Sequence, residues 1–266
     1  MPKLTEALRA EYQSLFDSCQ INAAQQAEIN AQTDKIIAAR SRYEGVASPV
    51  GVPWYVVGVL HSLEAGLRFD RHLHNGDPLT ARTVQVPKGR PPTGTPPFTW
   101  EASAADALSF EKYDSWSDWS VPGILLKWEL YNGWGYRNHH PDVKSPYLWS
   151  MTNHYVSGKY VADGVWSATA KSKQVGAAAL LRRLAERGVV DAASFTTSPP
   201  LARAIEQGKP ALRFQPQSES PRGVELQQFL NSFPGVFLRE DGKLGQRTSD
   251  AVQQVLGRRL HGDRRT

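Results

Sequence analysis

The most constraining feature of this sequence is a run of residues that is apolar on nearly every side. Residues 54–63 contain only His61 and Ser62 as clearly polar side chains, and the run ends at Glu64. A breaker cluster at 48–53 precedes it, and its last residue, Pro53, suits the start of a helix. Because such a surface cannot face water, we expect a helix that crosses the core of a folded domain.

Helical patterning recurs on both sides of this run. Apolar residues repeat at four-residue spacing near the N-terminus, and residues 1–43 are predicted to form a helical extension that packs on the main domain. Further helical segments are predicted at 102–110, 122–131, 147–157 and 171–187. The fold class is therefore predicted to be mainly α.

The segment from 72 to 100 has a different pattern. It contains the turn residues Asn75-Gly76-Asp77, a β-prone run at 83–86, and a loop rich in Pro and Gly at 87–97. We expect a small β-hairpin followed by an irregular loop. The predicted fold is accordingly helical with one small hairpin.

Charge and cysteine content restrict the partners. The formal net charge of +5 favours polyanionic partners, but the basic residues form no tight run with interleaved aromatics before the tail, so no nucleic acid is expected. Cys19 is the only cysteine, which excludes an intramolecular disulfide. The N-terminus lacks the apolar segment of a secretory signal, and no stretch reaches the ~20 apolar residues of a membrane span. We therefore expect a protein that is cytoplasmic at synthesis, with no membrane span.

Glu64 is the residue whose surroundings best suit acid catalysis. Burial at the end of an apolar helix raises the pKa of a carboxyl group, which then keeps its proton near neutral pH. A glycosidic oxygen is a poor leaving group until it is protonated, so an acid of this kind fits glycan cleavage. The alternative interpretation is a structural ion pair between Glu64 and Arg68, one turn further on.

Two segments carry a resemblance to a known superfamily. Residues 51–66 resemble the catalytic helix of lysozymes and lytic transglycosylases, in which an apolar helix ends in a Glu followed by a small residue. Residues 126–136 resemble the Tyr-Asn-Gly segment that lines the glycan cleft of those enzymes. The resemblance implies an α+β lysozyme-like catalytic domain at 44–190, with two helical lobes and a cleft.

The resemblance also implies an activity of the phage endolysin type. Glu64 would be the general acid that cleaves peptidoglycan between N-acetylmuramic acid and N-acetylglucosamine, with no cofactor and no metal. Tyr131, Asn132 and Tyr136 would bind the glycan, since Asn offers a donor and an acceptor and Tyr adds a ring face with a hydroxyl. Such a protein would act on the cell wall after release from the cytoplasm.

A second carboxylate is less sharply defined. In phage-type lysozymes the acid helix is followed by an Asp and a Thr that position water, and by that resemblance Asp77 and Thr83 are the candidates. The alternative for Asp77 is a turn residue that caps its own loop. Asp70 and Glu129 are further candidates. Whether the enzyme is a muramidase or a lytic transglycosylase stays open, because a transglycosylase needs only the acid.

The C-terminal part has a signature of its own. Residues 191–221 are predicted to be a linker, and residues 222–266 resemble the small three-helix peptidoglycan-binding module, with Leu226-Gln227 on one helix and an Asp-Gly-x-Leu-Gly loop at 241–245. Gly242 and Gly245 would allow the positive φ angles of a tight loop, and Thr248 would cap the final helix.

Two alternative functions follow from the same residues. A lysozyme-like fold joined to a wall-binding module could be a peptidoglycan-binding protein without turnover. A zinc-dependent wall peptidase could instead use His72 and His74 with Asp77, although the His-Glu-x-x-His helix motif of such peptidases does not occur. Activity that requires an acid at position 64 separates the glycan-cleaving enzyme from both.

Overall fold

The fold was derived from a computed structural model of the whole chain. The structure describes residues 2–162, 164–190, 212–231, 233 and 236–265. The chain divides into two compact units, residues 1–195 and residues 196–266. Each unit has its own hydrophobic core.

The first unit is mainly helical. Its helices are α1 (Glu6–Asp17), α2 (Gln26–Ala38), α3 (Arg40–Ala47), α4 (Trp54–Ala65), α5 (Trp100–Phe110), α6 (Val121–Asn132), α7 (Gly135–His139), α8 (Pro146–Trp149) and α9 (Ala177–Glu186). Short 3₁₀ turns lie at Ala23–Gln25 and Ser48–Val50. Two antiparallel strands, β1 (Lys159–Ala162) and β2 (Val165–Ser167), form a hairpin. The predicted fold class, mainly α with one small hairpin, is confirmed.

Helix α4 crosses the core of this unit, as its composition predicts. Every residue from Val56 to Leu63 is buried, and the helix packs against α2, α3 and α9. Gly66 ends α4 with a φ of 58°, a left-handed conformation that glycine adopts without strain, and its N–H donates to the carbonyl of His61. This capped end holds Glu64 in the last turn of the helix.

Close packing inside the core predicts that a Gly→Ala substitution will have opposite effects on stability at two helical glycines. A Cβ atom at Gly58 of α4 would lie 2.7 Å from Cγ2 of Ile36 and 3.2 Å from the ring of Tyr43. We expect Gly58→Ala to lower the free energy of unfolding by about 1–3 kcal/mol, because the backbone or its neighbours must shift. Urea unfolding measures this change.

The matched control is Gly45→Ala in α3, where a Cβ would meet nothing within 4 Å. There the substitution should raise the free energy of unfolding by about 0.5–1 kcal/mol, since alanine is the better helix former. Changes of the same sign at Gly58 and Gly45 would contradict this account of the core.

The N-terminal helices are part of the core of the first unit. Tyr12 and Phe16 of α1, and Ile29 and Ile36 of α2, are buried in the same cluster as the residues of α4. Helix α1 packs on α6, while α2 packs on α4 and α9. Residues 1–43 therefore complete the main hydrophobic core.

The hairpin does not lie where the sequence analysis placed it. The β-prone run at 83–86 folds back on itself, because the N–H of Thr83 donates to the carbonyl of Arg90 and the N–H of Gly89 donates to the carbonyl of Thr83. Val84 and Val86 are left 63% and 88% exposed, with no strand partner in this described loop. Local hydrogen bonds and the neighbouring prolines, which cannot donate to a ladder, outweigh the β propensity.

Two predicted helices are shorter than their patterns suggest. The segment predicted at 147–157 is helical only as far as Trp149, because Ser150 is extended and Met151 has a φ of 63°. The segment predicted at 171–187 becomes helical only at Ala177, after Gly176 at its N-cap. Between these two helices lies the β-hairpin of β1 and β2, which irregular segments join to each helix.

The second unit contains the helices α10 (Pro221–Asn231) and α11 (Gln246–Leu256) among its described residues. Its core includes Leu226, Leu230 and Val252, and also Leu212, which lies within the predicted linker. Residues 212–221 are therefore part of this unit and the linker prediction is wrong for them. The rest of that prediction, residues 191–211, lies outside the described residues.

A buried glutamine joins the two motifs of this unit. The side-chain amide of Gln227 donates to Oδ1 of Asp241 at 3.0 Å and to the carbonyl of Lys243 at 3.1 Å, and its oxygen accepts from the N–H of Gly242 at 2.7 Å. Gln227 is 2% exposed, so each of these bonds forms away from water. The Leu-Gln helix and the Asp-Gly loop are thus one structural unit.

Two details of this loop differ from expectation. Gly242 has the predicted positive φ, 72°, but Gly245 has a φ of −89° and is itself the N-cap of α11. Thr248 lies inside the first turn and donates to the carbonyl of Lys243 at 3.4 Å, so it does not cap the helix. The loop needs left-handed backbone at one of the two glycines only.

No single helix in the described part of the chain is long and apolar enough to cross a membrane. The segment Arg40–Val50 and helix α4 together have the length and apolar composition of a membrane span. They are bent by 116° at the break between them.

Candidate active site

The candidate site is built around Glu64 at the end of α4. The hydroxyl of Tyr147, on α8, donates to Oε1 of Glu64 at 2.6 Å. Helix α8 packs against α6 and α9, so the tyrosine is held by the body of the unit. One carboxylate oxygen of Glu64 therefore has a fixed donor.

Burial raises the pKa of Glu64 to about 7. The hydrogen bond from Tyr147 opposes this rise, whereas the negative charge of Glu111 adds to it. Glu64 nevertheless keeps part of its surface accessible to solvent. A carboxyl group that is both desolvated and reachable can hold a proton near neutral pH and deliver it to a ligand.

Three tyrosines surround this carboxyl group. Tyr113, Tyr131 and Tyr147 each interact electrostatically with Glu64, and burial raises the pKa of each hydroxyl well above its ordinary value. The hydroxyl of Tyr131 donates to the carbonyl of Leu73 at 2.7 Å, and that of Tyr113 donates to the carbonyl of Lys127 at 3.2 Å. The tyrosines therefore stay protonated and give the site a neutral, partly apolar wall.

Glu111 is a second carboxylate at this site, and the sequence analysis missed it. It follows α5 directly, and its negative charge contributes to the raised pKa of Glu64. Burial raises the pKa of Glu111 itself, against the opposing charge of Lys127. Among the contacts of the described residues, its carboxylate has no hydrogen bond or ion pair. Its backbone carbonyl accepts from Nζ of Lys127 at 2.7 Å.

Asp77, the second carboxylate proposed from the sequence, organises its own loop. One of its oxygens accepts from the backbone N–H of Val84 at 2.8 Å and of Gln85 at 2.9 Å. The loop closes on the end of α4, since a Cβ at Gly76 would lie 2.4 Å from the carbonyl oxygen of Glu64. Asp77 therefore acts as a turn residue, which is the alternative given for it in the sequence analysis. It lies near Glu64 because the backbone of its loop approaches the end of α4.

Thr83 belongs to the same loop. It is 2% exposed, its hydroxyl donates to the carbonyl of Pro87 at 2.5 Å, and it accepts from the N–H of Arg90 at 2.8 Å. Both hydrogen-bonding directions of the hydroxyl are therefore used inside the protein. Thr83 shapes the loop that borders Glu64.

The predicted glycan-binding residues of α6 and α7 have different surroundings. Tyr131 contributes to the site, and Asn132 beside it is exposed. Tyr136 packs edge-on against Tyr160 at 5.4 Å and Trp166 at 5.8 Å, and its hydroxyl accepts from the N–H of Tyr160. Tyr136 thus supports the β-hairpin, and the structure joins Glu64 only with Tyr131 of this group.

The other acidic candidates have structural partners. Glu129 is buried and accepts from the hydroxyl of Tyr12 and, at 2.7 Å, from Nε of Arg137. Asp70 forms an exposed ion pair with Arg68 at 2.7 Å. Arg68 therefore pairs with Asp70, and the structure contains no ion pair between Arg68 and Glu64.

The histidines of the zinc hypothesis are also engaged within the protein. The two ring nitrogens of His72 lie 2.8 Å from Oγ of Ser103 and from the carbonyl of Ala81, and Nε2 of His74 lies 2.8 Å from a carboxylate oxygen of Asp106. In the described parts of the chain, no group of three or more His, Cys, Asp or Glu side chains could hold a metal ion.

Comparisons of the chain with family models, with curated proteins and with solved structures found no match. What this chain does is therefore inferred from the geometry and electrostatics around Glu64, together with the motif resemblances.

Two substitutions should move the pKa of Glu64 in opposite directions. Tyr147→Phe removes a hydrogen bond that favours the ionised carboxylate, so the pKa should rise above about 7. Glu111→Gln removes a neighbouring negative charge, so the pKa should fall. Titration of the carboxyl carbon by ¹³C NMR, assigned with Glu64→Gln, measures both.

Tyr55→Phe on the first turn of α4 is the control and should leave the titration of Glu64 unchanged. If Tyr147→Phe and Glu111→Gln displaced the pKa in the same direction, or not at all, the electrostatic description of this site would be wrong.

Proposed function

We propose that this protein cleaves the glycan strands of bacterial peptidoglycan between N-acetylmuramic acid and N-acetylglucosamine, with Glu64 as the general acid. The observation that carries the proposal is a desolvated yet accessible carboxyl group whose pKa lies at about 7. The resemblance of residues 51–66 and 126–136 to the lysozyme and lytic transglycosylase superfamily supports the choice of substrate.

The first chemical step uses only Glu64. The proton on its carboxyl group passes to the glycosidic oxygen as the bond to the anomeric carbon breaks, and the pyranose ring takes on oxocarbenium character. The carboxylate that remains is stabilised by the hydroxyl of Tyr147. The tyrosines around it stay protonated, so none of them is a competing base for the proton of Glu64 before the substrate binds.

After this first step, the reaction can be completed in two different ways. In a muramidase, a second carboxylate activates water, and Glu111 is better suited to this than Asp77, because the Asp77 carboxylate is occupied by backbone N–H groups. In a lytic transglycosylase, the C6 hydroxyl of the muramic acid attacks the anomeric carbon, and Glu64 takes up the released proton. The products distinguish the two.

The second unit fits a wall-binding role within this proposal. Gln227 and the loop at 241–245 form the compact motif on which the resemblance to peptidoglycan-binding modules rests. The net charge of +5 would help the protein to approach an anionic wall, an effect that salt should weaken.

Digestion of purified sacculi tests the proposal. The wild-type protein is incubated with sacculi both with and without EDTA, and the soluble fragments are analysed by mass spectrometry beside those from Glu64→Gln. We expect disaccharide-containing fragments from the wild type alone. A reducing N-acetylmuramic acid end identifies a muramidase, and a 1,6-anhydro end identifies a transglycosylase.

A protein that binds sacculi and releases no fragment would instead be a non-catalytic wall-binding protein. Release of peptides alone, abolished by EDTA, would identify the zinc peptidase. Either result would overturn the proposal.

A further inference from the structure

A polar groove follows one face of α2, and the three tyrosines around Glu64 do not line it. Gln25 and Glu28 line a depression of about 640 Å³, and Gln32 and Lys35 line a second one of about 270 Å³. Glu28, Gln32 and Lys35 are three or four residues apart and therefore share one side of α2, and Gln25 lies directly before the helix. Lys171, Ser172 and Lys173 also line the larger depression, and the next residue, Gln174, lines the smaller one. We call the two depressions together the α2 groove.

The larger depression is lined by a buried hydroxyl that the protein does not use. Ser150 is 1% exposed, and its Oγ has no hydrogen-bond partner among the described residues. Next to it, Met151 holds a φ of 63°, which residues other than glycine rarely adopt, and its carbonyl accepts from the N–H of Asn22 at 3.0 Å. A buried polar group without a partner calls for an explanation, and a ligand in the depression that bonds to it would supply one.

The groove and the candidate active site share a short segment of chain. Tyr147, which donates to Glu64, lies three residues before Ser150. At the other end, the side-chain amide of Gln174 donates to the carbonyl of Leu63, directly before Glu64. A polymer bound at Glu64 could therefore extend a side branch into the groove.

The charge of the groove favours an anionic ligand. Lys171 and Lys173 are exposed at the larger depression, and Lys35 lines the smaller one. None of the three has an ion pair or a hydrogen bond from its ammonium group within the described structure. Glu28 is the acidic side chain among the lining residues, and it already accepts from the amide of Gln32 at 3.4 Å. The side chains that line the groove thus carry three unpaired ammonium groups and one carboxylate.

We propose that the α2 groove binds a short anionic peptide, and that this peptide is the stem attached to N-acetylmuramic acid. The identity of the peptide rests on the proposed function. From Gln26, its first residue, to Lys35 the helix spans ~13–14 Å at 1.5 Å per residue. An extended peptide of about four residues spans ~13–14 Å, so a stem of that length fits the groove.

The groove suits a peptide better than a further stretch of glycan. Its amide side chains and the Ser150 hydroxyl can bond peptide N–H and carbonyl groups, and its lysines can pair with the carboxylates of a stem. Glycan sites generally add an aromatic face. Tyr155 lines the larger depression, but it is 8% exposed and its hydroxyl donates to the carbonyl of Gly158 and accepts from the N–H of Ser172.

Calorimetric titration of the full chain with the synthetic stem peptide N-acetyl-L-Ala-γ-D-Glu-meso-diaminopimelate-D-Ala tests the inference. Replacing both lysines of the larger depression, Lys171→Gln with Lys173→Gln, should raise Kd about three- to tenfold, the range expected for two exposed charge pairs. The control, Lys3→Gln with Arg40→Gln, removes the same charge elsewhere on the surface of the first unit and should leave Kd unchanged.

A second variant separates ligand binding from folding. Ser150→Ala should raise Kd about two- to tenfold without lowering Tm, because its hydroxyl has no partner in the protein. A hydroxyl with a purely structural role would give the opposite result, a lower Tm with an unchanged Kd.

Digestion assays then distinguish failure of this inference from failure of the proposed function. The double lysine variant should cut intact sacculi more slowly than wild type and should cut peptide-free glycan strands at the wild-type rate. Glycan cleavage without any stem-peptide binding would overturn the groove assignment and leave the function standing. Stem-peptide binding that depends on Lys171, Lys173 and Ser150, without glycan cleavage, would support the groove and overturn the proposed activity.

Discussion

Glu64→Gln is expected to lower the rate of glycan cleavage by about 10²–10⁴-fold, the usual contribution of a positioned general acid. Glutamine has nearly the same shape and can still accept the hydrogen bond from Tyr147, but it has no proton to give to the glycosidic oxygen. Release of soluble fragments from sacculi, followed over time at pH 6–7, measures the loss. Binding of the variant to sacculi should be retained.

Glu44→Gln is the matched control, because Glu44 lies on the surface of α3 in an exposed ion pair with Arg40. That variant should cut sacculi at the wild-type rate. Cleavage by Glu64→Gln at a rate close to that of wild type would show that another group supplies the proton, and the proposed mechanism would be wrong.

The same substitution should stabilise the fold at alkaline pH. The pKa of Glu64 is raised from 4.5 to about 7 by burial. Below pH 4.5 the carboxyl group is protonated in both the folded and the unfolded chain and has no differential effect. Between the two values the folded chain holds a proton that the unfolded chain has lost, so stability falls as pH rises. Above pH 7 the full cost of a buried charge is present.

Glutamine avoids that cost. The difference in unfolding free energy between Glu64→Gln and wild type should therefore grow by about 3 kcal/mol from pH 4 to pH 8, at 1.36 kcal/mol for each pKa unit. Urea unfolding at both pH values measures it, and Glu44→Gln should show no such growth. A difference independent of pH would mean that the pKa of Glu64 is not raised.

The parts of the fold that depend on local pattern were predictable from the sequence. Helix α4 was identified because a helix that is apolar on all sides has only one place in a folded protein, and its start and end are marked by Pro53 and Gly66. The hairpin at 159–167 was not, because its strands are three or four residues long and carry no clear alternation. The run at 83–86 has the composition of a strand but lacks a partner to pair with.

The candidate site was only partly predictable, for a related reason. Glu64 could be found because its environment is set by its own helix. Tyr147 and Glu111 lie 83 and 47 positions further along the chain, and nothing local marks them as neighbours of Glu64. Asp77 was a candidate because it follows the acid helix in the order seen in phage-type lysozymes. Its side chain is used by its own turn, which order along the chain does not reveal.

The N-terminal helices have a consequence for how the chain reaches its folded state. Helix α1 packs on α6, and α2 packs on α9, so the first helices to be synthesised have their partners about 100 to 150 residues downstream. Until α9 has left the ribosome, Ile29 and Ile36 have no complete apolar surface to pack against. Contacts of such long sequence separation slow folding. We therefore expect nascent chains to remain sensitive to proteases for as long as α9 is inside the ribosome, and a single cooperative transition to protection once α9 has emerged.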